Sequence, residues 1–137
     1  MVVVLSKENY EKIISHAKKE FPYECCGLLG GKKKEGLILI REIYAVKNVD
    51  QSSEHFSMDP KEQFAVVKQM RKEGLELLGN YHSHPYTPSR PSEEDKRLAF
   101  DAEAVYGILS LEKEEPVFNI FKIDKNKNVE KLEVEIV

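Results

Sequence analysis

Two histidines one residue apart, followed by a serine and an aspartate, hold most of the chemistry this chain can offer. They lie in His82-Ser83-His84-Pro85 and, past Tyr86 to Pro91, at Ser92 and Asp95. The chain has only four histidines in 137 residues, so a pair at one spot asks for a shared purpose. If the stretch ending at His84 is extended, both imidazoles leave the same face. Their Cα atoms would then lie about 6.8 Å apart, within reach of one ion. Asp95 opens the next helix. Two neutral nitrogens and a carboxylate form a borderline-hard donor set that suits Zn²⁺. Three protein ligands leave a fourth tetrahedral position for water, which separates a catalytic zinc from a four-liganded structural one.

A plainer reading exists for each half. Ser92-x-x-Asp95 is also a capping-box pattern, with the serine as N-cap and the acid three residues on. His-x-His can be two polar positions on a sheet face. Capping leaves the paired histidines unexplained, whereas metal ligation accounts for both halves and does not exclude the cap. Ser83 points away from the histidines, which argues against a serine nucleophile; with Pro85 it shapes the turn.

The elements that must position these residues follow from periodicity. Val2 to Leu5 reads as a short strand. Ser6 caps a helix running to about Phe21, whose Tyr10, Ile13, Ile14, Ala17 and Phe21 form one apolar face. Pro22 stops it. Cys25 to Gly30 and Leu37 to Val46 read as a hairpin joined by Gly31 to Gly36, with Lys32-Lys33-Lys34 a solvated turn. Asp59-Pro60 opens a second helix that Gly74 closes. Leu75 to His84 is strand-like, and Ser92 to about Asp101 is a short helix. Three strands follow at Ala104 to Leu111, Val117 to Ile123 and Val129 to Ile136, the last two joined by a turn at Asp124 to Asn128. In the final strand Leu132, Val134 and Ile136 alternate with charged residues, as an edge or one-sided strand should. With no repeat, linker or composition break, residues 1–137 read as a single α/β domain, a mixed and largely antiparallel sheet flanked by helices.

Composition narrows the function classes. Charged residues make up 33% of the chain, yet the formal net charge is only −3. That balance argues against a nucleic-acid binder, which needs a basic excess or stripe. No apolar run approaches the roughly 20 residues of a membrane span, and MVVVLSKENY lacks the basic n-region of a secretory signal. The expectation is a soluble, cytoplasmic protein; its abundant Lys and Glu hint at a thermophile. Cys25 and Cys26 are adjacent, so a disulfide framework is impossible and two buried thiols are expected.

His82-Ser83-His84-Pro85, Ser92 and Asp95 resemble the zinc motif of the JAMM (MPN-plus) metalloproteases. The segment Pro22-Tyr23-Glu24-Cys25-Cys26-Gly27-Leu28-Leu29-Gly30 is similar to the early strand where compact bacterial and archaeal members carry a glutamate. Met58-Asp59-Pro60 is a weaker likeness, and the extra Cys25 departs from the pattern. The resemblance implies an MPN fold, related to that of the cytidine deaminases, with one zinc per chain on His82, His84 and Asp95. It gives Glu24 the work of taking a proton from water and delivering it to a leaving amine, a contribution of roughly 10²–10⁴-fold. It gives Ser92 a hydrogen bond to the oxyanion of the tetrahedral intermediate.

The activity so implied is that of a metallo-isopeptidase, resembling the deubiquitinases, that hydrolyses amide bonds at the C-terminus of ubiquitin-like modifiers. A second activity within the family is release of cysteine from a sulfur-carrier protein adduct, and a third possibility is a non-catalytic MPN-type scaffold. Retention of all four site residues counts against the scaffold, and the missing H-x-E and P-C-x-x-C signatures count against a deaminase. Implied partners are a ubiquitin-like or sulfur-carrier protein and its conjugates, without nucleic acid or membrane; a homodimer is compatible with the sequence. His55 is expected on a surface strand and His16 toward solvent. The loop Tyr86 to Pro91, stiffened by Pro88 and Pro91, could line a substrate groove or serve as a rigid connector.

Overall fold

The computed structural model describes residues 1–137. Seven strands and three helices follow in the order β1 (Val2–Leu5), α1 (Lys7–Glu20), β2 (Cys26–Lys34), β3 (Leu37–Val46), α2 (Pro60–Lys72), β4 (Glu76–His84), α3 (Glu93–Arg97), β5 (Val105–Ser110), β6 (Val117–Ile123) and β7 (Val129–Ile136). The strands form a closed ring, β1-β3-β2-β4-β5-β6-β7. Pairing is parallel for β1/β3, β1/β7 and β4/β5, and antiparallel for the other four ladders, so the sheet is mixed as expected.

Adjacent apolar residues on β2 explain why helices pack on both faces. Leu29 joins the main core with Val3, Leu5, Ile38, Tyr81, Leu109 and Ile120, where Ile13 and Ala17 of α1 also pack. Leu28, one residue earlier, turns to the other face and meets Val46 and Met70 of α2. A strand buried on both faces reads as a continuous apolar run. Ser6 Oγ accepts the Asn9 N–H at 3.0 Å to start α1, and Asp59 accepts from Lys61 to start α2, with Pro60 in the first turn where no N–H is needed. Gly74, at φ +72, supplies the left-handed residue that ends α2.

Five expectations need correcting. Lys32 to Lys34 form the exposed end of β2, and the turn is Glu35-Gly36, with Gly36 at φ +75. β2 begins at Cys26, so Cys25 precedes it. Phe21 ends α1 and leaves its buried stripe, packing edge-on against Tyr86 at 5.3 Å. β7 is one-sided but not an edge, because β1 closes against it in register from Val2↔Glu133 to Leu5↔Ile136. Helix α3 also stops at Arg97, shorter than its spacing suggested. No helix is long and apolar enough to cross a membrane.

Candidate metal centre

Strand alternation and strand register assemble the site. Cys26 pairs with His82, and Ser83 N–H donates to the Cys25 carbonyl at 3.1 Å. Continuing that register places Glu24 opposite His84. Glu24, Cys26, His82 and His84 therefore share one face, while Tyr81 and Ser83 turn to the other. Ser83 is buried and its Oγ accepts the Cys25 N–H at 2.8 Å, so its part is structural.

His82 Nε2 and His84 Nε2 lie 3.0 Å apart, and each is 3.2 Å from the same oxygen, Asp95 Oδ2. A tetrahedron with donor atoms ~2.0 Å from its centre has edges of about 3.3 Å, close to the triangle observed. The donor chemistry points the same way. His84 Nδ1 lies 2.9 Å from the Pro88 carbonyl, which can only accept, so a neutral His84 carries its proton there. Its Nε2 lone pair then faces a second imidazole nitrogen and a carboxylate oxygen. Such an electron-rich triangle requires a cation or a shared proton at its centre. The two histidines are buried and Asp95 nearly so.

The same Asp95 oxygen accepts the Ser92 N–H at 2.9 Å, and Ser92 Oγ accepts the Asp95 N–H at 3.0 Å. The capping box is thus complete, and it orients the carboxylate toward the histidines. Capping uses the Ser92 oxygen only as acceptor, so its hydroxyl proton stays free to donate. Burial resists ionisation of Asp95, but its side-chain contacts with His82 and His84 outweigh it and hold the carboxyl well below the usual range. Burial lowers His82, partly offset by Asp95.

Glu24 is the other unusual group. It is 3% exposed, and its Oε1 has no hydrogen-bond partner in the protein. Burial first, then repulsion from Asp95 and Glu94, pushes its carboxyl up to about 9. The backbone around it is fixed: Glu24 N–H donates to the Ser52 carbonyl at 2.7 Å, and Asn48 Nδ2 donates to the Glu24 carbonyl at 3.0 Å. A buried carboxyl held beside a cation-seeking triangle can carry a proton in either direction.

Sequence reasoning missed three residues. Phe56 stacks on the His82 ring, with centroids 4.6 Å apart and planes at 30°. Asn48 organises the 49–58 loop by accepting from Asp50 and Ser57 and donating to the His55 carbonyl. Tyr81 is fully buried, and its hydroxyl meets His16 Nδ1 at 2.8 Å. His16 is accordingly packed rather than solvent-facing. His55 lies in an irregular loop 3.6 Å from Asp50, off any strand. The loop from Tyr86 to Pro91 is firmly anchored, which fits either expectation for it: besides Pro88, its Thr87 carbonyl accepts from Ser110 at 2.6 Å, and Ser89 donates to Ile108 at 2.7 Å. Both cysteines are free and buried, and Cys26 Sγ donates to the Val46 carbonyl at 3.4 Å.

The family described as prokaryotic homologs of the JAB domain matches residues 6–124. This chain belongs to that family. It is similar to the CysO-cysteine peptidase of Mycobacterium tuberculosis, 29% identical over 109 residues that make up 80% of this chain and 73% of the relative. It is also similar to the desampylase of Pyrococcus furiosus, 31% identical over 88 residues, 64% of this chain and 60% of that one. Among solved structures, a protein from Desulfitobacterium hafniense superposes with a TM-score of 0.90 at 46% identity, covering 100% of this chain and 93% of that one. A JAB1/MPN domain protein from Archaeoglobus fulgidus shares the JAB fold, with a TM-score of 0.61 at 23% identity and 98% of each chain covered.

Proposed function

We propose that this JAB-family chain is a zinc metallo-isopeptidase, acting in the cytoplasm as one domain on the amide bond that follows the C-terminus of a ubiquitin-like modifier or sulfur-carrier protein. The observation that carries this reading is the triangle of His82 Nε2, His84 Nε2 and Asp95 Oδ2, with edges of 3.0, 3.2 and 3.2 Å, beside the buried Glu24 carboxyl. Relatives named as a CysO-cysteine peptidase and a desampylase support the reaction class and the substrate class.

His82, His84 and Asp95 would hold one zinc ion, which when bound supplies the Lewis acidity that makes water a nucleophile near neutral pH and polarises the scissile carbonyl. Glu24, which must be ionised in the metal-loaded chain, takes a proton from the attacking water as its oxygen bonds to the carbonyl carbon. Ser92 donates its free hydroxyl proton to the oxyanion that develops there. Glu24 then gives its proton to the nitrogen as the C–N bond breaks, releasing a carboxylate-ended modifier and a free amine. Pro88 fixes the tautomer of His84, and Phe56 shields one face of His82 from water.

Release of cysteine from a sulfur-carrier adduct is the same reaction with a different amine, and the peptidase relative favours it. Metal analysis with intact-mass assays on ubiquitin-like fusions tests the proposal. One zinc per chain and chelator-sensitive cleavage after the terminal glycine are expected. A purified, zinc-supplemented protein that binds no stoichiometric metal would refute it.

A further inference from the structure

The two histidines of the triangle are not held alike. His84 Nδ1 has the Pro88 carbonyl at 2.9 Å, whereas His82 Nδ1, on a residue only 2% exposed, meets no hydrogen-bond partner within the protein. With Nε2 turned to the triangle, a neutral His82 carries its proton on Nδ1. A buried donor on a proposed metal ligand therefore has no acceptor among the side chains and backbone around it. Folded chains rarely leave such a group unanswered.

His82 also lines a cleft of about 60 Å³ on the α3 side of the triangle. Asn80 precedes it by two residues on β4, so both side chains leave the same face of the sheet. On the neighbouring strand the registers Asn80↔Tyr106 and His82↔Ile108 set a phenol and an apolar side chain beside them. Glu94 and Leu98 line the cleft from α3 and its C-cap.

We infer that this cleft binds an ordered water molecule that accepts the His82 Nδ1 proton and donates to Asn80 Oδ1, which makes Asn80 a positioning residue for the metal ligand. This rests on the zinc reading above and adds how its second imidazole is held.

Size and polarity both select water. One molecule needs about 10–15 Å³ of such free space and two to four polar partners. Three are at hand. His82 supplies the donor and Asn80 the first acceptor. Tyr106 donates its own proton to the Asp101 carbonyl at 3.1 Å, which leaves the phenol oxygen to accept the water's second proton. Glu94 is drawn toward Arg97, 3.9 Å away. Phe56, Ile108 and Ile123 complete the lining with apolar surface, which slows exchange with bulk solvent.

The test uses the full chain and three readouts, none of them catalytic. Asn80→Leu keeps the shape and removes the acceptor, so competition with a chelator should show zinc bound about tenfold or more weakly, the usual effect of losing a ligand's outer hydrogen bond. Asn80→Asp keeps an acceptor and should bind zinc at least as tightly as the wild type. With Co²⁺ in place of zinc, proton NMR in water should show two exchangeable, metal-shifted imidazole N–H signals, and Asn80→Leu should broaden one and spare the other. A high-resolution crystal structure of the zinc-loaded wild type should place a water about 3 Å from both His82 Nδ1 and Asn80 Oδ1, a result that does not depend on any variant folding. An unchanged zinc Kd in Asn80→Leu, equal losses in the Leu and Asp variants, two unaltered N–H signals, or a crystal with no water at His82 Nδ1 would overturn the inference and leave the zinc hydrolase standing. A wild-type chain that takes up no zinc would remove that reading, and this inference with it.

Discussion

At the scale of single residues, Glu24 is the group whose burial is hardest to explain by stability. Glu24→Gln keeps the shape and removes the proton carrier, so kcat should fall by roughly 10²–10⁴ with zinc content unchanged, read by steady-state kinetics beside metal analysis. Stability should move the other way. The folded chain raises Glu24 from its ordinary 4.5 to about 9. As pH climbs above about 4.5 the unfolded chain ionises while the folded one keeps its proton, so the chelated protein loses stability up to about pH 9 and no further on this account. Urea melts across that window should show the slope, and Glu24→Gln should flatten it and gain ~1–3 kcal/mol at pH 8. Burial pushes both thiols up to about 12, so Cys25 and Cys26 should resist a thiol reagent at pH 8 until the chain is unfolded. The candidate ligands could be read from the sequence because His-x-His and Ser-x-x-Asp are local patterns with local geometry. Phe56 and Tyr81 could not, since stacking on His82 and bonding to His16 join segments 26 and 65 residues apart. His16 carried no signal at all: helical periodicity places it beside the apolar stripe, and only the curl of the sheet brings Tyr81 beneath it.

At the scale of elements, β4 matters most, because one strand delivers both histidines and its neighbours fix their direction. Gly79 lies where β4 meets β5, and a Cβ there would fall 1.9 Å from the Val105 carbonyl oxygen. Backbone cannot step aside as a side chain can, so Gly79→Ala should cost at least ~1–3 kcal/mol in thermal or urea denaturation and weaken zinc retention with it. Ser92→Ala should show two separable losses: ~1 kcal/mol from the missing cap and a lower kcat from the missing hydroxyl. Ser92→Asn, which caps equally well, should restore the stability without the rate. Strands with clean alternation or a bounded apolar run were legible almost to the residue, as at Leu37–Val46 and Val117–Ile123. Errors fell where charge misled. Three consecutive lysines read as a turn, yet an exposed strand end tolerates them, because one side of the ladder still pairs with the apolar Leu37 to Leu39.

At the scale of the whole molecule, the two chemistries of the chain meet in one equilibrium. Zinc held as proposed by the folded triangle would have no such site in the unfolded chain, so at a hundredfold excess over Kd it should stabilise by about 2.7 kcal/mol, visible as a metal-dependent rise in Tm that chelation reverses. The sheet class was evident from the order of strands and helices, but ring closure was not, because nothing local in Val129–Ile136 tells an edge strand from one whose second neighbour is the first strand of the chain. That closure is made late in the sequence: Val137 N–H donates to the Leu5 carbonyl at 3.0 Å, and Lys7 N–H donates to the Val137 carbonyl at 2.8 Å. The ring still leaves backbone unpaired, because β1 covers β3 only from Leu37 to Ile40 and the stretch through Val46 ladders with β2 alone. A peptide tail arriving at this end would meet that open strand side together with connecting segments such as Gln51 to Met58 and Tyr86 to Pro91, which can diverge in sequence while the seven-stranded frame keeps its register.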